Sequence, residues 1–275
     1  MSRNSDRRRA EIVRLATTSG LASVEELSST FAVTPSTIRR DLARLTTQGL
    51  LTRTFGGAMA VVAHPEDSVR QRVGEAFEAK HGIARWAAQQ IGAGESVLLD
   101  AGSTVAALAH ELRSSTQLFI ATTSLTVLKE LGDVESLHVE CLGGRLRHLS
   151  QGFVGPTTEA SLERMSFDRV FLGADGVTAD RGICEADLQQ TRLKELMARN
   201  SRKTYVLAHA AKLGRGPFHA WVRLPRPWTL VTDDTASEDA LAPFSKEGVE
   251  VVVVDVEGQV SKAKPAADQP SAPQG

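Results

Sequence analysis

Cysteine is scarce: Cys141 and Cys184 are the only two in 275 residues, and no close spacing pairs them. That arrangement suggests neither a disulfide framework nor a thiolate metal site, and buried reduced thiols are the expectation. No apolar run is long enough to span a bilayer, and the start lacks a signal-peptide pattern, so a cytoplasmic protein without a membrane partner is expected. Internal repeats are also lacking. Residues 1–60 contain no lysine, yet they hold nine arginines against five acids, a net +4. The whole chain carries −1, so a basic head sits on a body of −5. From charge alone, such separation fits a polyanion-binding module and a merely solvated basic surface equally. The bulk is ordinary for a globular protein, at 41% hydrophobic and 24% charged, and the length suggests about two domains.

In the head, apolar residues from Arg7 to Thr18 recur at helical spacing and stop at Ser19-Gly20. A second helix starts at Ser23, with Glu26 three residues on as in a capping box and Val24, Leu27 and Phe31 facing inward. Thr34 caps a third helix, Pro35 occupies its first position, and Gly49 ends it. LLTRTFGGAM reads as two short strands around Gly56-Gly57. Three helices and a hairpin make a winged helix-turn-helix.

On the third helix Ile38, Leu42 and Leu45 recur at i, i+4 and i+7 and must face the core. Ser36, Thr37, Arg39, Arg40 and Arg44 are left on other faces, with Arg40 and Arg44 one turn apart. An α-helix fits the major groove, where guanidinium groups bond guanine edges and hydroxyls reach phosphates. Arg53 on the hairpin is placed for phosphate or the minor groove. Thr34, Ser36, Thr37, Arg39, Arg40, Arg44 and Arg53 are therefore the candidate DNA-binding residues. Asp41, an acid on the same helix, is read as structural, pairing with a nearby arginine or a backbone N–H. The competing reading is a protein-protein winged helix whose surface is incidentally basic.

The head's RR..I, VEELS..F.V, TIRRDL and L.R..GGA resemble the N-terminal domain of the DeoR family of bacterial transcriptional repressors across nearly the whole of residues 2–58. The resemblance implies operator binding, with Ser36, Thr37, Arg39 and Arg40 on the surface that meets DNA.

Beyond residue 77 the apolar runs SVLLDA, QLFIAT, LHVECL, RVFLGA, TYVLA, TLVTD and VEVVVVDV alternate with helical segments. This predicts an α/β fold with a mostly parallel sheet covered on both faces. The expected organisation is 1–60 head, 61–76 linker, 77–257 effector-sensing α/β domain and 258–275 disordered tail. Asp100 to Thr104 lies between a strand and a helix, where backbone N–H groups and hydroxyls cradle phosphate; Thr122 and Ser124 repeat the pattern after the next strand. Either segment taken alone is more often just a good cap.

Further along stand Gly144, Asp175, Glu185, Lys194 and Lys212, carboxylates suited to sugar hydroxyls and lysines suited to phosphate. Their order resembles the family's C-terminal effector domain, akin to ribose-5-phosphate isomerase and coenzyme A transferases. By that resemblance the effector-binding positions are Asp100, Gly102, Ser103, Thr104, Thr122, Ser124, Gly144, Asp175, Glu185, Lys194 and Lys212. Two departures stand out: Thr122-Thr123 where the family shows threonine-asparagine, and His209 where it shows an aspartate ahead of the last lysine. His209 is either a replacement donor toward an anionic ligand or a satisfied wall residue.

The expected partners are an operator duplex, a phosphorylated sugar or related metabolite, and further copies of the chain as a homodimer or homotetramer. No cofactor, no metal and no catalytic residue are expected. A rival reading makes the body a working aldose-ketose isomerase, with Asp100, Asp175, Glu185 and Lys194 as base and cation. A dinucleotide-binding dehydrogenase is disfavoured, because GAGESVLLDAGST places its first glycines before the strand.

Overall fold

The computed structural model describes residues 3–19, 22–47, 51–54, 57–60 and 68–264. The chain divides into two compact units, one of residues 1–66 with 215–219 and the other of 67–214 with 220–275.

In the first unit α1 (Arg3–Ser19), α2 (Val24–Phe31) and α3 (Pro35–Thr47) pack with a small sheet of β1 (Ala22–Ser23), β2 (Leu51–Thr54) and β3 (Gly57–Ala60), ordered β1-β3-β2. Ser23 accepts from Glu26 N–H while the Glu26 side chain returns to the Ser23 N–H, completing the expected capping box. The core is Ile12, Val24, Leu27, Ile38, Leu42, Leu45 and Leu51. Each buried aliphatic side chain contributes roughly 1.5–3 kcal/mol. In so small a core, the expected periodicity of α3 decides the fold.

The second unit begins with α4 (Val69–Val73) and α5 (Phe77–Gln89). There follow β4 (Ser96–Leu99), α6 (Ser103–Glu111), β5 (Phe119–Thr122), α7 (Leu125–Leu131), β6 (His138–Cys141), β7 (Arg145–Arg147), β8 (Gly152–Val154) and α8 (Pro156–Leu162). The remainder is β9 (Phe167–Leu172), β10 (Gly176–Thr178), β11 (Gly182–Glu185), α9 (Leu188–Arg199), β12 (Ser201–Leu207), β13 (Ala220–Val222), β14 (Thr229–Asp233), α10 (Glu238–Lys246), β15 (Glu250–Val254) and β16 (Val260–Lys264).

The main sheet has the order β16-β15-β14-β12-β9-β4-β5-β6, parallel except for the edge strand β16. Alternate residues of one strand enter different cores: Leu98 lies with Val170, Leu172, Leu193 and Phe244, whereas Val97 and Leu99 lie with Ile83, Leu108, Ile120 and Phe171. A sheet buried on both faces explains why its strands read as near-continuous apolar runs.

Three expectations need correcting. Cys141, expected to be a buried thiol, is exposed at the end of edge strand β6, whereas Cys184 is buried. Residues 260–264, assigned to the tail, pair antiparallel with β15. An edge strand needs only backbone bonds to one neighbour, and Asp255 sets up the turn by accepting from the N–H groups of Glu257 and Gln259. Composition does not register either feature. Within the expected linker, residues 69–73 are helical, started by a Ser68–Gln71 capping box. Residues 61–67 and 265–275 of the expected linker and tail lie outside the described residues.

Candidate functional site

In the first unit, Thr34 prepares the start of α3: its hydroxyl lies 2.9 Å from that of Ser36 and 3.0 Å from that of Thr37. Thr34, Ser36, Arg39, Arg40 and Arg44 are exposed and Thr37 is half-buried, while Ile38, Leu42 and Leu45 are buried. The helix thus turns its guanidinium groups outward because its aliphatic stripe is spent on the core. Asp41 is buried and accepts from Arg8 Nε at 2.7 Å and Arg9 Nη1 at 3.2 Å. The acid on a basic helix is structural, as expected, and clamps α1 to α3. Arg53 has its backbone in β2 opposite Ala58, and its side chain lies outside the described residues.

In the second unit the sheet order reverses between β4 and β9: β5 and β6 follow on one side, β12, β14 and β15 on the other. Open α/β sheets bind ligands at such a switch point, beyond the carboxyl ends of the strands. There the loops after β4 and β9 meet, with Gly173 N–H donating to Asp100 Oδ2 at 3.0 Å. Lys194, from α9, reaches the same point. Its ammonium lies 3.0 Å from Asp100 Oδ2, donates to Gly173 O at 2.8 Å and contacts Glu185 Oε1. Asp100, Glu185 and Lys194 are each no more than 3% exposed. Beside them Asp175 receives Arg72 Nη1 on Oδ1 at 2.5 Å, and the Lys212 ammonium turns inward to Ala174 O although its stem is half-exposed. The sheet therefore gathers Asp100, Asp175, Glu185, Lys194 and Lys212 into one cluster from well-separated stretches of chain.

Burial pushes the Glu185 carboxyl up to about 8, only partly opposed by Lys194. Burial also works against the Lys194 charge, but Asp100 and Glu185 outweigh it and raise its pKa. Lys212 is lowered to about 8, mainly by burial and despite Asp175, with Arg72 and Lys80 adding to the effect. Lys80, buried with its ammonium on Arg72 O, is likewise lowered to about 8, by burial first.

These shifts set a pH dependence of stability. Between pH 4.5 and 8 the folded protein keeps a proton on Glu185 that the unfolded chain releases, so stability falls as pH rises. Between pH 8 and 10.5 the unfolded chain keeps protons on Lys80 and Lys212 that the folded state has lost, so stability rises. The expected outcome is a minimum near pH 8 in the urea midpoint. Every tryptophan, Trp86, Trp221 and Trp228, lies in this unit, so fluorescence reports on it selectively. A monotonic profile across that range would refute the assignment.

The remaining candidates sit at strand ends and helix starts. Gly102 precedes α6, which Ser103 and Thr104 begin. Thr122 donates to Leu99 O at 2.8 Å and accepts from Ser124 N–H at 3.0 Å; Ser124 caps α7. The Thr122 hydroxyl is thereby occupied in joining strand ends, and that of Ser124 in capping the helix. Gly144 has φ 111°, and a Cβ there would stand 2.1 Å from Thr158 Oγ1, so only glycine fits. His209 is half-buried ahead of a 3-10 turn ending at Lys212.

Sequence reasoning missed Arg72, Lys80 and Asp233. Asp233 accepts from Ala210 N–H at 2.7 Å and so holds the turn that carries Lys212. Arg72 lies in a five-residue helix, too short for a periodic stripe to stand out, and the Ser68–Gln71 spacing was its main sequence signal. The isomerase reading loses its cation: Lys194 is buried and already occupied by two carboxylates and a carbonyl.

The chain matches the family models of the DeoR-like helix-turn-helix domain over residues 8–63 and of the DeoR C terminal sensor domain over residues 75–234. It is 31% identical over 250 residues to a putative aga operon transcriptional repressor of Escherichia coli O157:H7, covering 90% of this chain and 93% of that one. It is 34% identical over 204 residues to the glycerol-3-phosphate regulon repressor of Escherichia coli K12, covering 74% and 81%. To the lactose phosphotransferase system repressor of Streptococcus mutans it is 31% identical over 245 residues, covering 88% and 96%. A solved ribose 5-phosphate isomerase from Methanocaldococcus jannaschii superposes with TM-score 0.36 at 19% identity, over 48% of this chain and 52% of that one. With both domain models matched in order and relatives aligned along nearly their full lengths, this chain belongs to the DeoR family of transcriptional regulators.

Proposed function

We propose that this protein is an operator-binding repressor of carbohydrate metabolism genes, released from or retained on DNA by a phosphorylated sugar held in the β4–β9 crevice. The observation that carries the reading is one chain with two chemically distinct parts. The arginine-bearing face of α3 suits a polyanion, and the carboxylate-and-lysine crevice suits a small anionic polyol. Relatives named for glycerol 3-phosphate and for a lactose phosphotransferase system support the effector class. Asp175 would accept sugar hydroxyls and Lys212 would meet phosphate, while Asp100, Glu185 and Lys194 hold the loops in place. A single winged helix makes few base contacts, so a homodimer or homotetramer would supply affinity and half-site spacing. The effector must prefer one arrangement of heads for the response to arise.

Two measurements test the reading. A thermal-shift screen of phosphorylated sugars against the full chain is expected to find at least one that raises the melting temperature, since ligands of the folded state stabilise it. Arg40→Ala is expected to weaken binding to the promoter fragment beside its own gene by about 1–3 kcal/mol and to blur base preference. Effector binding should survive that substitution. An unchanged gel shift for the variant would remove α3 from the groove.

A further inference from the structure

We propose that Arg72, carried by the short helix α4 and not by the sheet, contacts the effector, so that effector binding tightens the docking of α4 onto the sensor. The inference rests on the reading of the crevice as a phosphosugar site. Three sets of contacts lead to it.

First, α4 is a strap held from outside itself. A helix of five residues has no stability of its own. Val69 is buried and its N–H donates to Leu149 O at 2.8 Å, the Lys80 ammonium donates to Arg72 O, and Arg72 Nη1 donates to Asp175 Oδ1 at 2.5 Å. Second, the ion pair at its end is half made. Asp175 has a side chain 9% exposed, and its Oδ2 is buried without a hydrogen-bond partner among the described residues; so is Arg72 Nε. A fork-to-fork pair would satisfy both. Here one acceptor and one donor of a single buried pair are left unanswered, within electrostatic reach of the Lys212 ammonium. Third, the charge around Asp175 is lopsided. Arg72 pairs with it, and Arg72, Lys80 and Asp175 all act on the nearby Lys212 ammonium, while Asp100 and Glu185 are engaged by Lys194.

A ligand bearing an anionic oxygen next to a hydroxyl would answer all of this at once. Its oxygen accepts from Arg72 Nε–H, its hydroxyl donates to Asp175 Oδ2, and its charge offsets the cations. A ligand that touches Arg72 in the docked position necessarily favours that position. The strap lies just after residue 67, where the sensor unit begins, so its docking is on the covalent path from the head.

The experiment uses the full-length protein with inorganic phosphate, glycerol 3-phosphate and fructose 6-phosphate as probes. It reads melting temperature, apparent Kd and hydrogen exchange of a peptide spanning residues 68–76. In the wild type at least one probe is expected to raise the melting temperature and slow exchange in that peptide. Arg72→Gln should weaken that probe's Kd by about tenfold or more, the scale of a lost charge-assisted hydrogen bond, and abolish the slowing. Arg72→Lys, which keeps the charge but not the fork, should fall between. Equal affinity in wild type and Arg72→Gln, or faster exchange on binding, overturns this inference and leaves the crevice assignment standing. If no probe binds the wild type, both fall. Should Arg72→Gln fail to fold by circular dichroism and tryptophan fluorescence, Arg72→Lys carries the test, and an unchanged Kd for it overturns the inference.

Discussion

Lys194→Met is expected to destabilise the sensor unit by about 3–5 kcal/mol, the usual cost of removing one partner from a buried charge cluster. For a unit of this size that corresponds to a fall of roughly 10 °C in melting temperature. The substitution keeps the length of the side chain but takes away the one ammonium that Asp100, Glu185 and Gly173 O share. Asp100 then faces Glu185 across a dry crevice floor. Glu185→Gln alone should cost far less, because burial already favours the protonated form of Glu185 near neutral pH. The double variant should recover part of the loss, a coupling that a double-mutant cycle on tryptophan fluorescence would measure. Strict additivity would show that the three groups are not one electrostatic unit.

Asp41→Ala should cost about 2 kcal/mol or more in the head, since it removes the carboxylate that accepts from both Arg8 and Arg9. The head is small and its core modest, so a loss of that size unfolds an appreciable fraction of it. Operator binding is therefore expected to weaken several-fold although the substitution makes the head more basic. Charge alone predicts the opposite, because deleting an acid raises non-specific affinity for a polyanion. A gel shift thus separates the two roles: tighter binding by Asp41→Ala would mean that the acid merely repels phosphate. The sensor's fluorescence transition should stay where it is, since the head contains no tryptophan.

The head was legible because its signals are local. The capping box of α2, Pro35 at the start of α3 and the Ile38, Leu42, Leu45 stripe each depend on residues a few positions apart, and each sits where it was expected. Asp41 was legible in part: an acid on a basic helix was expected to pair with an arginine or a backbone N–H, and α1 supplies two arginines. The strands of the main sheet were equally plain, since burial on both faces leaves apolar runs that no exposed segment would carry. Edge strand β16 was not, as it is held by backbone pairing that composition does not record.

From residues alone one could therefore state the two-part organisation, the winged head, the parallel α/β body and the carboxylates and lysines at its strand ends. Which groups actually meet was decided by strand order. The reversal between β4 and β9 brings Asp100 to Lys194 and Glu185, and it brings Asp175 to an arginine 103 positions earlier in the chain. Pairings across such distances leave no periodic trace in a sequence. They exist only once the sheet closes over a crevice dry enough that every charge inside it must find a partner.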